Sequence, residues 1–141
     1  MVDVTIKWNT AGVTDVIRRG ALRGVTMAAN DLRNELLRRI MQDPKSGRVY
    51  TRRGVQHQAS APGEAPASDA GALVRGISVV VTETQDRISA QVNSGAAHAP
   101  SLEFGTPTME PRPLMRSTLA AQQQMIAATV QREIRAAMAG D

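Results

Sequence analysis

Cysteine is absent from this chain of 141 residues, so neither a disulfide framework nor a thiolate metal site or nucleophile is available. Aromatic residues are almost absent as well: Trp8, Tyr50 and Phe104 are the complete set. The core must therefore be aliphatic, built from Val, Ile, Leu, Met and Ala. No apolar run approaches the roughly 20 residues that a membrane helix needs. The opening MVDVTIKW has neither the basic start nor the apolar centre of a cleavable leader. Two histidines, His57 and His98, are too far apart for a local zinc motif. The glycines are not spaced as a P-loop or dinucleotide fingerprint, and no serine sits in a GxSxG elbow. No carboxylate cluster resembles a magnesium or calcium site. The expectation is a soluble, cytosolic-type single domain over residues 1–141 that is not an enzyme and carries no cofactor.

Charge is present but unevenly placed. From Arg18 to Arg53 there are ten basic residues against Asp31, Glu35 and Asp43, a local balance of +7, whereas the whole chain carries +4. Such polarity attracts nucleic acid or an acidic protein face, and composition alone leaves both open.

Hydrophobic periodicity divides the chain. Val2, Val4, Ile6 and Trp8 alternate with polar residues, the pattern of a half-buried strand. After a break at Asn9 to Gly12, with Thr10 or Thr14 as candidate N-caps, the period becomes helical from about Val13 to Met41. Its stripe is Val13, Ile17, Ala21, Val25, Ala28, Leu32, Leu36 and Ile40. Gly20 and Gly24 lie inside this helix, each at a cost of about 1 kcal/mol relative to Ala, and permit a bend or close packing against another helix. Asp43-Pro44 ends it.

Residues 43–70, rich in Pro, Gly, Ser and Ala, read as a long loop or flexible arm, with short strand pairing near Arg48 to Thr51 allowed by Val49-Tyr50-Thr51. From Leu73 the pattern is β: Leu73, Ile77, Val79 and Val81, a polar turn at 82–86, then Ile88, Ala90 and Val92, giving an antiparallel hairpin with one buried face. One helical turn is expected at 100–104. Pro113 to Met138 reads as a second long helix with Leu114, Leu119, Met125, Ile126, Thr129, Val130, Ile134 and Met138 on its apolar face. The fold class is α+β: a small antiparallel sheet packed against two long helices, with a long extended arm between the first helix and the sheet.

Two groups of residues stand out. Glu103, Phe104, Gly105 and Thr106, followed by Pro111, Arg112 and Pro113, form a corner between sheet and last helix, where glycine permits a tight turn and the prolines set the helix entry. Arg48, Tyr50, Arg52 and Arg53 lie on the arm as candidate contacts, first to protein and second to nearby DNA. His98 beside Glu103 is a weak candidate general base, set against an ordinary loop histidine.

The order of these pieces carries a resemblance: Ala61-Pro62, Asp69-x-Gly71-x-Leu73, a β hairpin, Glu103-Phe104-Gly105-Thr106, Met109-x-Pro111-Arg112-Pro113-Leu114-Met115, then a long C-terminal helix. In this order the chain resembles the neck and tail-completion proteins of long-tailed bacteriophages, the tail-component family distantly related to lambda minor tail protein Z. The likeness is detailed from Ala61 to Met138. It departs at His98, where the family commonly has an aromatic, and at Pro100. The resemblance implies a structural virion protein of the head–tail joint, assembled in the host cytoplasm as a homo-oligomeric ring, a hexamer, around the DNA channel. Its implied partners are the head connector or stopper on one side and the tail terminator or tail tube on the other, with passive proximity to packaged DNA and no membrane. A tail terminator capping the tube and a small basic DNA-binding protein are the alternatives.

Overall fold

In a computed structural model that describes residues 2–7, 15–67 and 71–140, alternation and helical period each produce the element they imply. β1 (Val2–Lys7) is followed by α1 (Asp15–Gln42), a hairpin of β2 (Val49–Arg52) and β3 (Val55–Gln58), and the short helix α2 (Ala72–Arg75). Then come β4 (Ile77–Glu83), β5 (Arg87–Ser94), the short α3 (Ala99–Phe104) and α4 (Met115–Met138). The main sheet is antiparallel in the order β1-β5-β4, with Val4 opposite Ala90 and Val79 opposite Val92. β2 and β3 form a separate two-stranded sheet. The α+β class, with two long helices packed on a small sheet, is therefore as the sequence implies. The expectations that fall on Trp8, the N-caps Thr10 and Thr14, Val13, Asp69 and Ala70 lie outside the described residues.

Three aliphatic surfaces meet in the core. β5, the central strand, contributes Ile88, Ala90 and Val92, all fully buried, and β1 adds Val2 and Val4. The α1 stripe lies across them with Val25, Ala28, Leu32, Leu36 and Ile40. Leu32, Leu36 and Ile88 are among its largest enclosed side chains, each contributing roughly 2 kcal/mol on burial. α4 packs along α1, and here the two helix glycines have their use. A Cβ on Gly20 would stand 2.8 Å from the Ala137 Cβ and 2.9 Å from the Glu133 carbonyl oxygen, and one on Gly24 would stand 2.8 Å from the Val130 Cα. Of the two roles open to these glycines, close helix packing is the one the structure uses. Polar ties hold both ends of the pair: Arg23 Nε donates to Glu133 Oε2 (2.7 Å), and Arg39 Nη1 donates to Ser117 Oγ (2.8 Å) and Thr118 Oγ1.

Several local expectations change. Leu73 is buried from the single turn α2 rather than from a strand. Pro113 precedes the helix, whose first residue is Met115, so it shapes the approach and not the first turn. Met125 and Met138 are exposed, and Thr118 and Ala137 take inward places on α4. The stretch 43–70 is not one loop. Residues 49–58 are a hairpin whose turn places Arg53 (φ 53°) and Gly54 (φ 79°) both at positive φ, as a type I′ connection requires. Beyond it Ser60, Ala65 and Pro66 are buried against the body.

Candidate functional site

The corner between α3 and α4 is built around a buried carboxylate. An α-helix leaves its first backbone N–H groups without partners, and negative charge there is favourable. Glu103, on α3 and 8% exposed, supplies both oxygens to the start of α4. Its Oε2 accepts from the N–H of Leu114 (2.8 Å) and of Met115 (3.0 Å), and its Oε1 accepts from the N–H of Arg116 (3.0 Å). The Arg116 side chain returns, with Nε donating to Oε1 (3.1 Å) and Nη2 to the Glu103 carbonyl (3.1 Å). Burial pushes the Glu103 carboxyl up, but the three backbone donors and Arg116 outweigh it and hold it below the usual carboxylate range. The glutamate thus caps the start of α4 from the preceding short helix.

The other corner residues shape the path around this cap. Gly105 has φ 77°, and a Cβ there would stand 2.9 Å from the Met109 carbonyl oxygen and 3.0 Å from Pro111. Thr106 and Met109 exchange backbone hydrogen bonds across a tight turn. Arg112 donates its N–H to the Leu102 carbonyl and its Nε to the Ser60 carbonyl (3.1 Å), while Gly63 donates to the Pro111 carbonyl (3.2 Å). The structure therefore joins Glu103, Gly105, Thr106, Pro111 and Arg112 with the returning limb of the 43–67 stretch. Phe104 turns outward: the single phenylalanine is 65% exposed, with the Arg116 guanidinium 4.7 Å above its ring. Arg116 and Ser60 escaped the sequence reading. The i+13 spacing of Arg116 from Glu103 has no local periodicity to reveal it.

A second clamp fixes the base of the arm. Glu64 accepts from the Ser46 hydroxyl, from the Ser46 N–H (3.0 Å) and from the Ala61 N–H (2.7 Å), which together lower its carboxyl to about 2. Gly47 and Ala59 bond across the neck of the hairpin (2.9 Å). Lys45 donates to the Arg39 carbonyl (3.0 Å), and burial lowers its pKa. The arm proper is thus the hairpin. Arg48, Arg52 and Arg53 are exposed on it, as are Val49 and Val55. Tyr50 is half-buried and stacks on His57 with centroids 5.6 Å apart, above a 550 Å³ cleft against Ile40, Met41 and Val74.

The pairing of His98 with Glu103 as an acid–base couple is not assembled. His98 caps α3 through its backbone, its carbonyl accepting from Leu102, and the Glu103 carboxylate is spent on α4. Pro100 occupies the first turn of α3, where a missing N–H costs nothing. Among the described residues, no group of three His, Cys, Asp or Glu side chains could hold a metal ion. Among the described residues, no helix is long and apolar enough to cross a membrane. No family model, curated protein or solved structure matches the chain.

Proposed function

We propose that this chain is a structural virion protein of the head–tail joint of a long-tailed bacteriophage, acting as a neck or tail-completion subunit that assembles into a ring around the DNA channel. The observation that carries the reading is the corner. Several of the residues that carry the resemblance, Glu103, Gly105, Thr106, Pro111 and Arg112, tie the start of α4 to α3 and to the returning limb, and so hold the angle at which α4 leaves the sheet. A ring subunit needs such a fixed wedge. The exposed basic hairpin, clamped at its base and free of acidic residues, supplies a surface for a neighbouring subunit or an adjoining ring. In this reading the protein performs no catalysis.

Electron microscopy of particles assembled without this protein tests the proposal. Filled heads and finished tails that fail to join are the expected result. Tails of uncontrolled length would instead make it a tail terminator. Normal virions, together with tight, salt-sensitive duplex binding by the isolated monomer, would make it a DNA-binding protein.

A further inference from the structure

In an antiparallel ladder, residues that exchange hydrogen bonds with the partner strand alternate with residues whose N–H and C=O point the other way. β4 and β5 are bonded at Gly76 with Gly95 (2.8 Å) and at Thr84 with Arg87 (2.8 Å). By that alternation Ser78, Val80 and Thr82 direct their backbone groups to β5, and Ile77, Val79, Val81 and Glu83 turn theirs to the open side. No strand among the described residues pairs with that side. The side chains are uncovered too: Val80 is 50% exposed and Val81 36%, and Ser78, Thr82 and Glu83 are exposed. Natural sheet edges are ordinarily blunted by charge, Pro or a bulge. Ile77 to Thr82, Ile-Ser-Val-Val-Val-Thr, has none of the three and pairs with β5 in unbroken register. The other edges differ. β1 runs beside α4 and carries Asp3 and Lys7, while β2 and β3 are four residues each.

We propose that two copies of this chain pair through this edge, β4 antiparallel to β4 about a two-fold axis at Val80, joining their three-stranded sheets into one. The strand's own symmetry selects a second copy as the occupant. About Val80 the chain reads nearly alike in both directions, Ser-Val-Val-Val-Thr. Pairing therefore sets Val80 against Val80, Val79 against Val81 and Ser78 against Thr82, and such β-branched and hydroxyl cross-strand pairs are favourable. The same register sets Ile77 against Glu83, so all four outward residues of each copy meet outward residues of the other. A four-residue strand offers only two such residues, so β2 or β3 of a neighbour would leave half of this edge unpaired. No like charges meet. Glu83 is tied to Arg18 of its own chain (3.3 Å), and Arg87, the one charged residue of β5, comes to opposite ends of the joint sheet in the two copies. The axis stands perpendicular to the sheet, which keeps the helices of both copies on one side. A two-fold contact closes with two copies. It goes beyond the ring-subunit reading and does not depend on it, for it describes the free protein.

The chain has no cysteine, so introduced thiols report on one contact at a time. Val80 and its copy form a non-hydrogen-bonded pair, with Cα atoms about 4.5 Å apart, within the span of a disulfide. Full-length Val80→Cys protein should therefore oxidise to a covalent dimer. Ser78→Cys alone and Thr82→Cys alone should stay monomeric, and the two should link to each other when mixed. In sedimentation of the cysteine-free chain, the mean mass should rise toward two subunits with concentration. Val80→Lys sets two ammonium groups face to face at an exposed position, and should abolish that rise with the circular dichroism unchanged. Failure of Val80→Cys to link, self-linkage of Ser78→Cys as efficient as that of Val80→Cys, or preferred linkage of Val80→Cys to Thr51→Cys or Gln56→Cys copies would each overturn the pairing. So would a cysteine-free chain that stays monomeric up to about 1 mM, or a dimer untouched by Val80→Lys. Rings that survive Val80→Lys, with no Val80→Cys linkage, would overturn the pairing and leave the proposed function standing.

Discussion

Glu103 shows how much one side chain can organise. Four donors converge on its carboxylate, three of them backbone N–H groups that would otherwise start α4 unsatisfied. Glu103→Ala leaves those donors and the inward edge of Arg116 without their acceptor, and should lower stability by about 2–3 kcal/mol in urea titration. The dependence on pH has a definite sign. The folded carboxyl is held below its ordinary range, so the unfolded chain takes up a proton first as pH falls. Its contribution is complete above the ordinary glutamate value near about 4.3, and is lost as pH drops through the folded value. Glu103→Gln has no such proton to bind, so its stability deficit measured at pH 7 should narrow by pH 3. Neither role could be read from the local sequence. Proximity of His98 suggested an acid–base couple, whereas the decisive partner is a helix start eleven residues later, brought into range by the turn at Gly105.

Among the elements, those with long periods were the legible ones. Twenty-eight residues of α1 and twenty-four of α4 repeat their small and aliphatic positions often enough to define a face, and alternation in β1, β4 and β5 defines a sheet side. Short elements lacked that redundancy. Leu73 precedes a β-patterned run, yet a single turn of helix buries it. β3, Val-Gln-His-Gln, has no apolar alternation, and Arg-Gly is a less familiar type I′ turn than Asn-Gly. The two glycines of α1 were legible as a pair but not in their partner. Gly24→Ala adds a Cβ 2.8 Å from the Val130 Cα, and the overpacking should exceed the gain of about 1 kcal/mol in helix propensity. The expected thermal shift is downward. The hairpin behaves oppositely. Its ends meet at Gly47 and Ala59, so replacing 48–58 by a short Gly-Ser link should lower Tm by less than about 5 °C. If the chain is the neck subunit proposed above, head–tail joining should be lost all the same.

At the scale of the whole molecule, positive charge and core are segregated. Arg18, Arg23, Arg38 and Arg39 are engaged in hydrogen bonds to turns and carboxylates of the same chain. Arg48, Arg52 and Arg53 are exposed on the hairpin, an element that contributes nothing to the main core. The +7 segment thus divides into an internal brace and an outward surface, a distinction that counting charges could not make. Combined Arg48→Ala, Arg52→Ala and Arg53→Ala should leave thermal unfolding within about 0.5 kcal/mol of the parent, as surface substitutions do. On the proposed neck role, the same protein should fail to restore joining when supplied to particles that lack it. Full restoration would remove the hairpin from any part in assembly.

The notch made by Gly20 and Gly24 also governs how the two long helices can move. With Val130 and the Glu133–Ile134 backbone seated against bare glycine backbone, sliding α4 by a turn would drive a bulky side chain into a gap that admits none. The pair has one alignment, like a key cut for a single depth, and a pull on either end travels along both helices as through one rod.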